Sequence, residues 1–134
     1  MVLGVGVDLL EVARMERELA REDGGFRGTV FTVAEVAQCT ASARPAEAFA
    51  GRFAAKEALI KALGGVLTED FRWLDMEVLA SAGGETEVAL HGGLRRLADG
   101  LGVRQIRLAI STAGGTAAAF AVLESRYDPD DEGK

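Results

Sequence analysis

From Val2 to Leu9 apolar and polar positions alternate weakly in a valine-rich run, which predicts a buried strand. Gly4 and Gly6 interrupt it, and glycines inside a strand point to another backbone or a ligand passing close. Asp8 ends the apolar run, either as a cap for the next element or as a metal ligand. From Glu11 to Glu22 the period becomes helical. Val12, Met15 and Leu19 share one side, while Arg14, Arg17 and Arg21 fall within a narrow arc opposite. Asp23-Gly24-Gly25 breaks the chain. Phe31-Thr32-Val33-Ala34-Glu35-Val36 then signals a helix start: Thr32 and Glu35 have capping-box spacing, and Phe31 can staple onto Val36. This helix is expected to reach about Cys39, before a polar loop containing Pro45.

The stretch from Gly51 to Gly65 is rich in alanine and leucine, free of proline and stopped by a glycine pair, so it predicts a long central helix. Phe49, Phe53, Ile60 and Leu63 fall on its expected buried face. Glu57 and Lys61 stand four apart at the edge of that face and are expected to meet. Lys56 projects from the middle of the apolar stripe, with Arg52 beside it. A buried ammonium needs an anion, and phosphate is a candidate; an ordinary amphipathic helix with a snorkelling lysine is the alternative. Further on, Trp73 to Leu79 and Glu85 to Leu90 alternate on either side of Ala82-Gly83-Gly84, a hairpin pattern. Leu94 to Leu101 reads as a short helix closed by Gly102. Ile106 to Ile110 and Ala117 to Leu123 form a second hairpin through Ala113-Gly114-Gly115. Strand, three helices, hairpin, helix, hairpin make an α+β fold, with antiparallel sheet packed against the long central helix.

At 134 residues the chain suits one domain, expected over residues 1–124. Residues 125–134 hold Asp128-Pro129-Asp130-Asp131-Glu132 and read as a solvated, disordered acidic tail. A net charge of −6 argues against nucleic-acid partners, which attract basic surfaces. No apolar run reaches membrane-spanning length and no signal-peptide pattern opens the chain, so neither membrane nor export is expected. The single cysteine, Cys39, fits a reducing cytoplasm. With one cysteine and one histidine, His91, a structural zinc site of the usual kind is out of reach. A nucleophilic triad lacks its serine–histidine or cysteine–histidine pair. What remains is Asp8 and Glu57 on separate elements, with Arg52, Lys56 and Lys61 nearby. Two carboxylates suit Mg²⁺, and the cations suit phosphates. Magnesium-assisted phosphoryl chemistry is the class these residues permit.

Gly4-Val5-Gly6-Val7-Asp8-Leu9, followed by Arg14, resembles the opening motif of the holo-acyl-carrier-protein synthases. Arg52-Phe53-Ala54-Ala55-Lys56-Glu57-Ala58, with Lys61-Ala62-Leu63-Gly64, resembles their second motif. Phe31-Thr32 with Glu35, and Trp73 with Asp75 to Val78, also fit, so the resemblance spans roughly residues 2 to 124. It implies a 4′-phosphopantetheinyl transferase, moving an arm of coenzyme A onto a serine of an apo acyl carrier protein. It further implies that Asp8 and Glu57 hold Mg²⁺ and that Glu57, or water near it, deprotonates the serine. Lys61 would stabilise the leaving phosphate. Arg52, Lys56, Gly64, Ser111 and Thr112 would bind coenzyme A, while Arg14, with Arg17 and Arg21, would meet the acidic carrier. A homotrimer with active sites between subunits is implied too, with the glycine- and alanine-rich strands as interface. Ser111-Thr112 stands where the family has a serine–histidine pair, and Glu85 where it has a proline. Asp8, Glu57 and Lys61 favour the transferase; Thr112 and Glu85 favour a homologue that docks carriers with altered or lost chemistry.

Overall fold

A computed structural model describes residues 1–21, 25–65 and 68–125. β1 (Val2–Glu11) runs beyond its expected end and takes Glu11 from the first helix, α1 (Val12–Leu19). A six-residue helix, α2 (Gly25–Val30), lies where only a break was expected. Its Gly25, Gly28, Thr29 and Val30 are weak helix formers, so nothing local announces it. α3 (Val33–Ala41) begins at the expected capping box. Glu35 N–H donates to Thr32 Oγ1 at 3.2 Å, and Thr32 N–H donates to Glu35 Oε1 at 2.8 Å.

α4 (Pro45–Ala62) starts six residues before Gly51, with Pro45 in the first turn where its missing N–H does no harm. Its end is the glycine pair. Gly64 N–H bonds the Lys61 carbonyl at 3.1 Å and Gly65 N–H bonds the Ile60 carbonyl at 2.9 Å. Both glycines have positive φ (106° and 73°), as this helix stop requires. A 3₁₀ turn, Trp73–Asp75, replaces the first residues of the expected strand. β2 (Met76–Ala80) and β3 (Thr86–Leu90) then form the first hairpin. α5 (Gly92–Leu101) stops at Gly102, and β4 (Val103–Ala113) turns through Gly114-Gly115 into β5 (Thr116–Ser125). Ser125 thus belongs to β5; the rest of the expected tail lies outside the described residues.

The sheets are β1-β5-β4, wholly antiparallel, and the separate pair β2-β3. α4 crosses the larger sheet and is enclosed by α1, α3, β2 and the strands. It is therefore buried on more than the one stripe expected: Ala50, Ala54, Ala55, Ala58 and Leu59 are all fully covered. Small residues let the helix settle onto backbone. A Cβ on Gly6 would collide with the Ala58 carbonyl, and one on Gly4 with the Ala62 carbonyl. The glycines of β1 are thus its inward face, together with Asp8 and Leu10. Val5, Val7 and Leu9 point away from the helix, and Phe120 lies beside Val7 on β5. This outer face is bare: Val5 is 60%, Leu9 68% and Phe120 53% exposed. The valines expected to be buried are uncovered in the single chain. The strand glycines and Ala117, Ala119 and Ala121 line the helix rather than an outer interface.

Candidate active site

The contact of α4 with the glycine side of β1 brings Asp8 beneath the helix. Lys61 Nζ donates to Asp8 Oδ1 at 2.9 Å and to the Val7 carbonyl at 3.0 Å. Its direct partner is thus the strand's carboxylate rather than Glu57 on its own helix. Glu57 is half-buried at the same place. Burial pushes its carboxyl above the ordinary glutamate range and the charge of Asp8 adds to the rise, while Lys61 and Arg14 oppose it. Asp8, Glu57, Lys61 and Arg14 therefore share one electrostatic neighbourhood, drawn from β1, α4 and α1. Both carboxylates are hard oxygen donors. Among the described residues no group of three acidic, histidine or cysteine side chains adds to them. Two carboxylates fit a Mg²⁺ that keeps several waters and takes further oxygens from a phosphate.

Lys56 is not where a phosphate could reach it. Its side chain has no exposure, and its ammonium donates to Glu35 Oε1 at 2.7 Å, the Val30 carbonyl at 2.6 Å and the Trp73 carbonyl at 3.4 Å. Burial pushes its pKa down, against the pull of Glu35. The expected phosphate ligand is thus an internal ion pair, because its anion is supplied from α3. Glu35, read from sequence only as a cap, is the residue that was missed. A capping glutamate that also faces a lysine buried in an apolar stripe was the available signal.

The remaining expected coenzyme A ligands divide. Arg52 and Thr112 line one cleft of ≈ 440 Å³, together with Arg44, Glu47, Gly51 and Thr86. Arg52 also donates to the Val78 carbonyl. Ser111, one step along β4, faces the opposite, open side of the sheet, so alternation separates the two residues. Gly64 is exposed at the helix end, its N–H held by Lys61. Arg14 and Arg17 are exposed on α1, but the helix stops at Leu19 rather than near Glu22, so Arg21 lies beyond its end, 3.7 Å from Glu18. Arg14 also borders a small hollow of ≈ 80 Å³ formed with Leu10, Met15, Glu18, Phe26 and Phe53.

A model of the 4′-phosphopantetheinyl transferase superfamily matches residues 4–121. The chain belongs to that superfamily. Among its transferase relatives, the holo-[acyl-carrier-protein] synthase of Koribacter versatilis is 39% identical over 124 residues, covering 92% of this chain and 99% of its own. That of Moorella thermoacetica is 42% identical over 129 residues, covering 96% and 99%. In three dimensions this transferase resembles the Neisseria meningitidis holo-[acyl-carrier-protein] synthase, with a TM-score of 0.83 at 27% identity, covering 93% of this chain and 100% of that one. The Helicobacter pylori synthase in complex with coenzyme A gives a TM-score of 0.78 at 25% identity, covering 90% and 99%. The α+β class is that of these transferases, and no helix among the described residues is long and apolar enough to cross a membrane.

Proposed function

We propose that this chain transfers the 4′-phosphopantetheine arm of coenzyme A to a serine of an apo acyl carrier protein, with Mg²⁺. The observation that carries the reading is the convergence of Asp8, Glu57 and Lys61 in a member of the transferase superfamily, with Lys61 2.9 Å from Asp8. The serine oxygen attacks the phosphorus on the pantetheine side of the pyrophosphate. The oxygen–phosphorus bond forms, the bridging phosphoanhydride bond breaks, and adenosine 3′,5′-bisphosphate leaves. Glu57, with a raised pKa, or water beside it, takes the serine proton. Lys61 offsets charge on the departing phosphate. Asp8 and Glu57 would hold the Mg²⁺, which supplies Lewis-acid charge at the pyrophosphate oxygens when bound.

Arg52 and Thr112, with Arg44 beside them, serve coenzyme A in their shared cleft. Ser111, on the sheet face opposite that cleft, and Gly64, at the helix end, would reach the coenzyme A held by a neighbouring copy. Arg14 and Arg17 on α1, with Arg21 just past its end, draw the acidic carrier. At 100° per residue Arg52 projects about 140° from Glu57 and about 180° from Lys61. The Arg52 cleft of one chain and the carboxylates of the same chain thus face apart, which supports sites completed between copies in a homotrimer. The open Val5, Val7, Leu9 and Phe120 face is the surface such an assembly would cover. A single domain over residues 1–124, working in the cytoplasm, completes the reading.

Mass spectrometry of an apo carrier incubated with this chain, coenzyme A and Mg²⁺ tests it. The expected result is a gain of one phosphopantetheine on serine, abolished in Asp8→Asn. No gain on any acyl carrier, with coenzyme A failing to bind, would leave the carrier-docking homologue in its place.

A further inference from the structure

The ion pair between Glu35 and Lys56 is wholly enclosed, with 0% exposure on both side chains. Each donor of the ammonium has a receiver: Glu35, the last residue of α2 (Val30), and Trp73. The carboxylate is as fully used, taking Thr32 N–H and Lys56 on Oε1 and Val78 N–H on Oε2, the last at 2.8 Å. Five segments therefore meet on two side chains: the end of α2, the start of α3, α4, the 3₁₀ turn and β2. A buried ion pair gives little or no stability over apolar side chains of the same volume. What it adds is direction, since its bonds are satisfied at one rotation and one height of the helix only.

That direction matters because the next residue is Glu57. Successive residues on α4 project about 100° apart, so fixing Lys56 fixes the side on which Glu57 emerges. The same network grips Val78 at both ends, its N–H by Glu35 and its carbonyl by Arg52. Val78 belongs to the hairpin whose Thr86 forms one wall of the Arg52–Thr112 cleft. Two places needed for the reaction are thus referred to one buried point.

We propose that Glu35 and Lys56 are positioning residues of the active site, which hold Glu57 toward Asp8 and set the width of the Arg52–Thr112 cleft. The proposal rests on the transferase reading for its catalytic consequence but has a readout of its own. Binding of Mn²⁺, a paramagnetic stand-in for Mg²⁺, is measured by electron paramagnetic resonance on the wild type, Glu35→Gln/Lys56→Met and Asp8→Asn. Transfer kinetics are measured on the same samples. The double variant is expected to stay folded, because it removes both charges and keeps the volume. Its Mn²⁺ affinity and kcat are each expected to fall about 10- to 100-fold, as with other residues that orient metal ligands from behind. KM for the carrier, docked on α1, is expected to stay within about twofold, since the α1 arginines are untouched.

A folded double variant with wild-type Mn²⁺ affinity and kcat would overturn the proposal. If the double variant does not fold, Glu35→Gln/Lys56→Gln, which leaves no charge unpaired and keeps a hydrogen-bonding amide at each position, is measured against the same expectations. Failure of that variant to fold as well would make the pair a requirement of folding only, and would equally overturn it. A wild type that binds Mn²⁺ through Asp8 yet transfers nothing would sink the transferase reading instead, leaving the comparison of affinities to decide the positioning role.

Discussion

Glu57 must ionise to hold a cation, yet its surroundings resist ionisation. Burial is the larger cause and the nearby Asp8 the second. Its folded pKa lies above the unfolded one. The stability this lends is therefore complete below the ordinary glutamate pKa and is lost as pH rises through the raised value. At neutral pH without metal, the charged carboxylate strains the fold. Glu57→Gln is accordingly expected to melt higher than the wild type in EDTA at pH 7.5, with the gap closing near about pH 4, where both forms are neutral. The same variant is expected to lose transfer, and calorimetry showing a lower melting temperature for it would refute the account. Thr112 presents a different case. A threonine offers one hydroxyl where the family's histidine offers ring donors and a charge when protonated. Hydrogen bonds to charged groups contribute about 1.5–3 kcal/mol, so Thr112→His is expected to tighten coenzyme A binding by about one to two powers of ten. Titration calorimetry with coenzyme A checks it, and an unchanged affinity would take Thr112 out of the binding cleft.

The contact between α4 and β1 depends on absent side chains. Gly6→Ala would put a methyl into the Ala58 carbonyl, and backbone cannot swing aside as a side chain can. A loss of about 1–3 kcal/mol is expected, in the range of overpacked cores, and transfer is expected to fall further than stability because Asp8 rides on the same strand. Urea unfolding beside a rate assay measures both; a variant as stable and active as the wild type would contradict the tight seating. On α1 the exposed arginines act through attraction across solvent. Arg14→Glu is expected to slow carrier association at low salt and to converge with the wild type as salt rises; identical rates throughout would leave the ridge merely solvated. Features written within a few residues were legible from sequence: the Thr32–Glu35 box, the Gly64-Gly65 stop and the Gly114-Gly115 turn. α2 was not, because glycines hide it. Lys56 was recognised as needing an anion, but its partner lies 21 residues away and only folding joins them. The alternation of β1 was visible too, though its sense was reversed: the valines look like the core side until the glycines are seen to receive a helix.

For the whole molecule, the bare Val5, Val7, Leu9 and Phe120 surface predicts a chain that does not work alone. Activity per chain is expected to fall on dilution as the proposed trimer separates. Phe120→Asp is expected to yield folded monomers with little transfer, because a charge then sits within the apolar face and the core residues are untouched. Sedimentation equilibrium across the nanomolar to micromolar range checks both statements. A monomer with full specific activity would dissolve the case for shared sites.

β1 thus serves two readers, the helix through Gly4, Gly6 and Asp8 and the open face through Val5, Val7 and Leu9. Substitutions on one side need not trouble the other. A single inserted or deleted residue exchanges the sides, sending Asp8 outward and a valine into the helix. The irregularity between Val2 and Gly4 is the one place along the pairing with β5 where such a slip has already been absorbed. Length changes are therefore expected to be tolerated before Gly4 and forbidden between Gly4 and Asp8, so that this short strand accepts rewording but not a shift of frame.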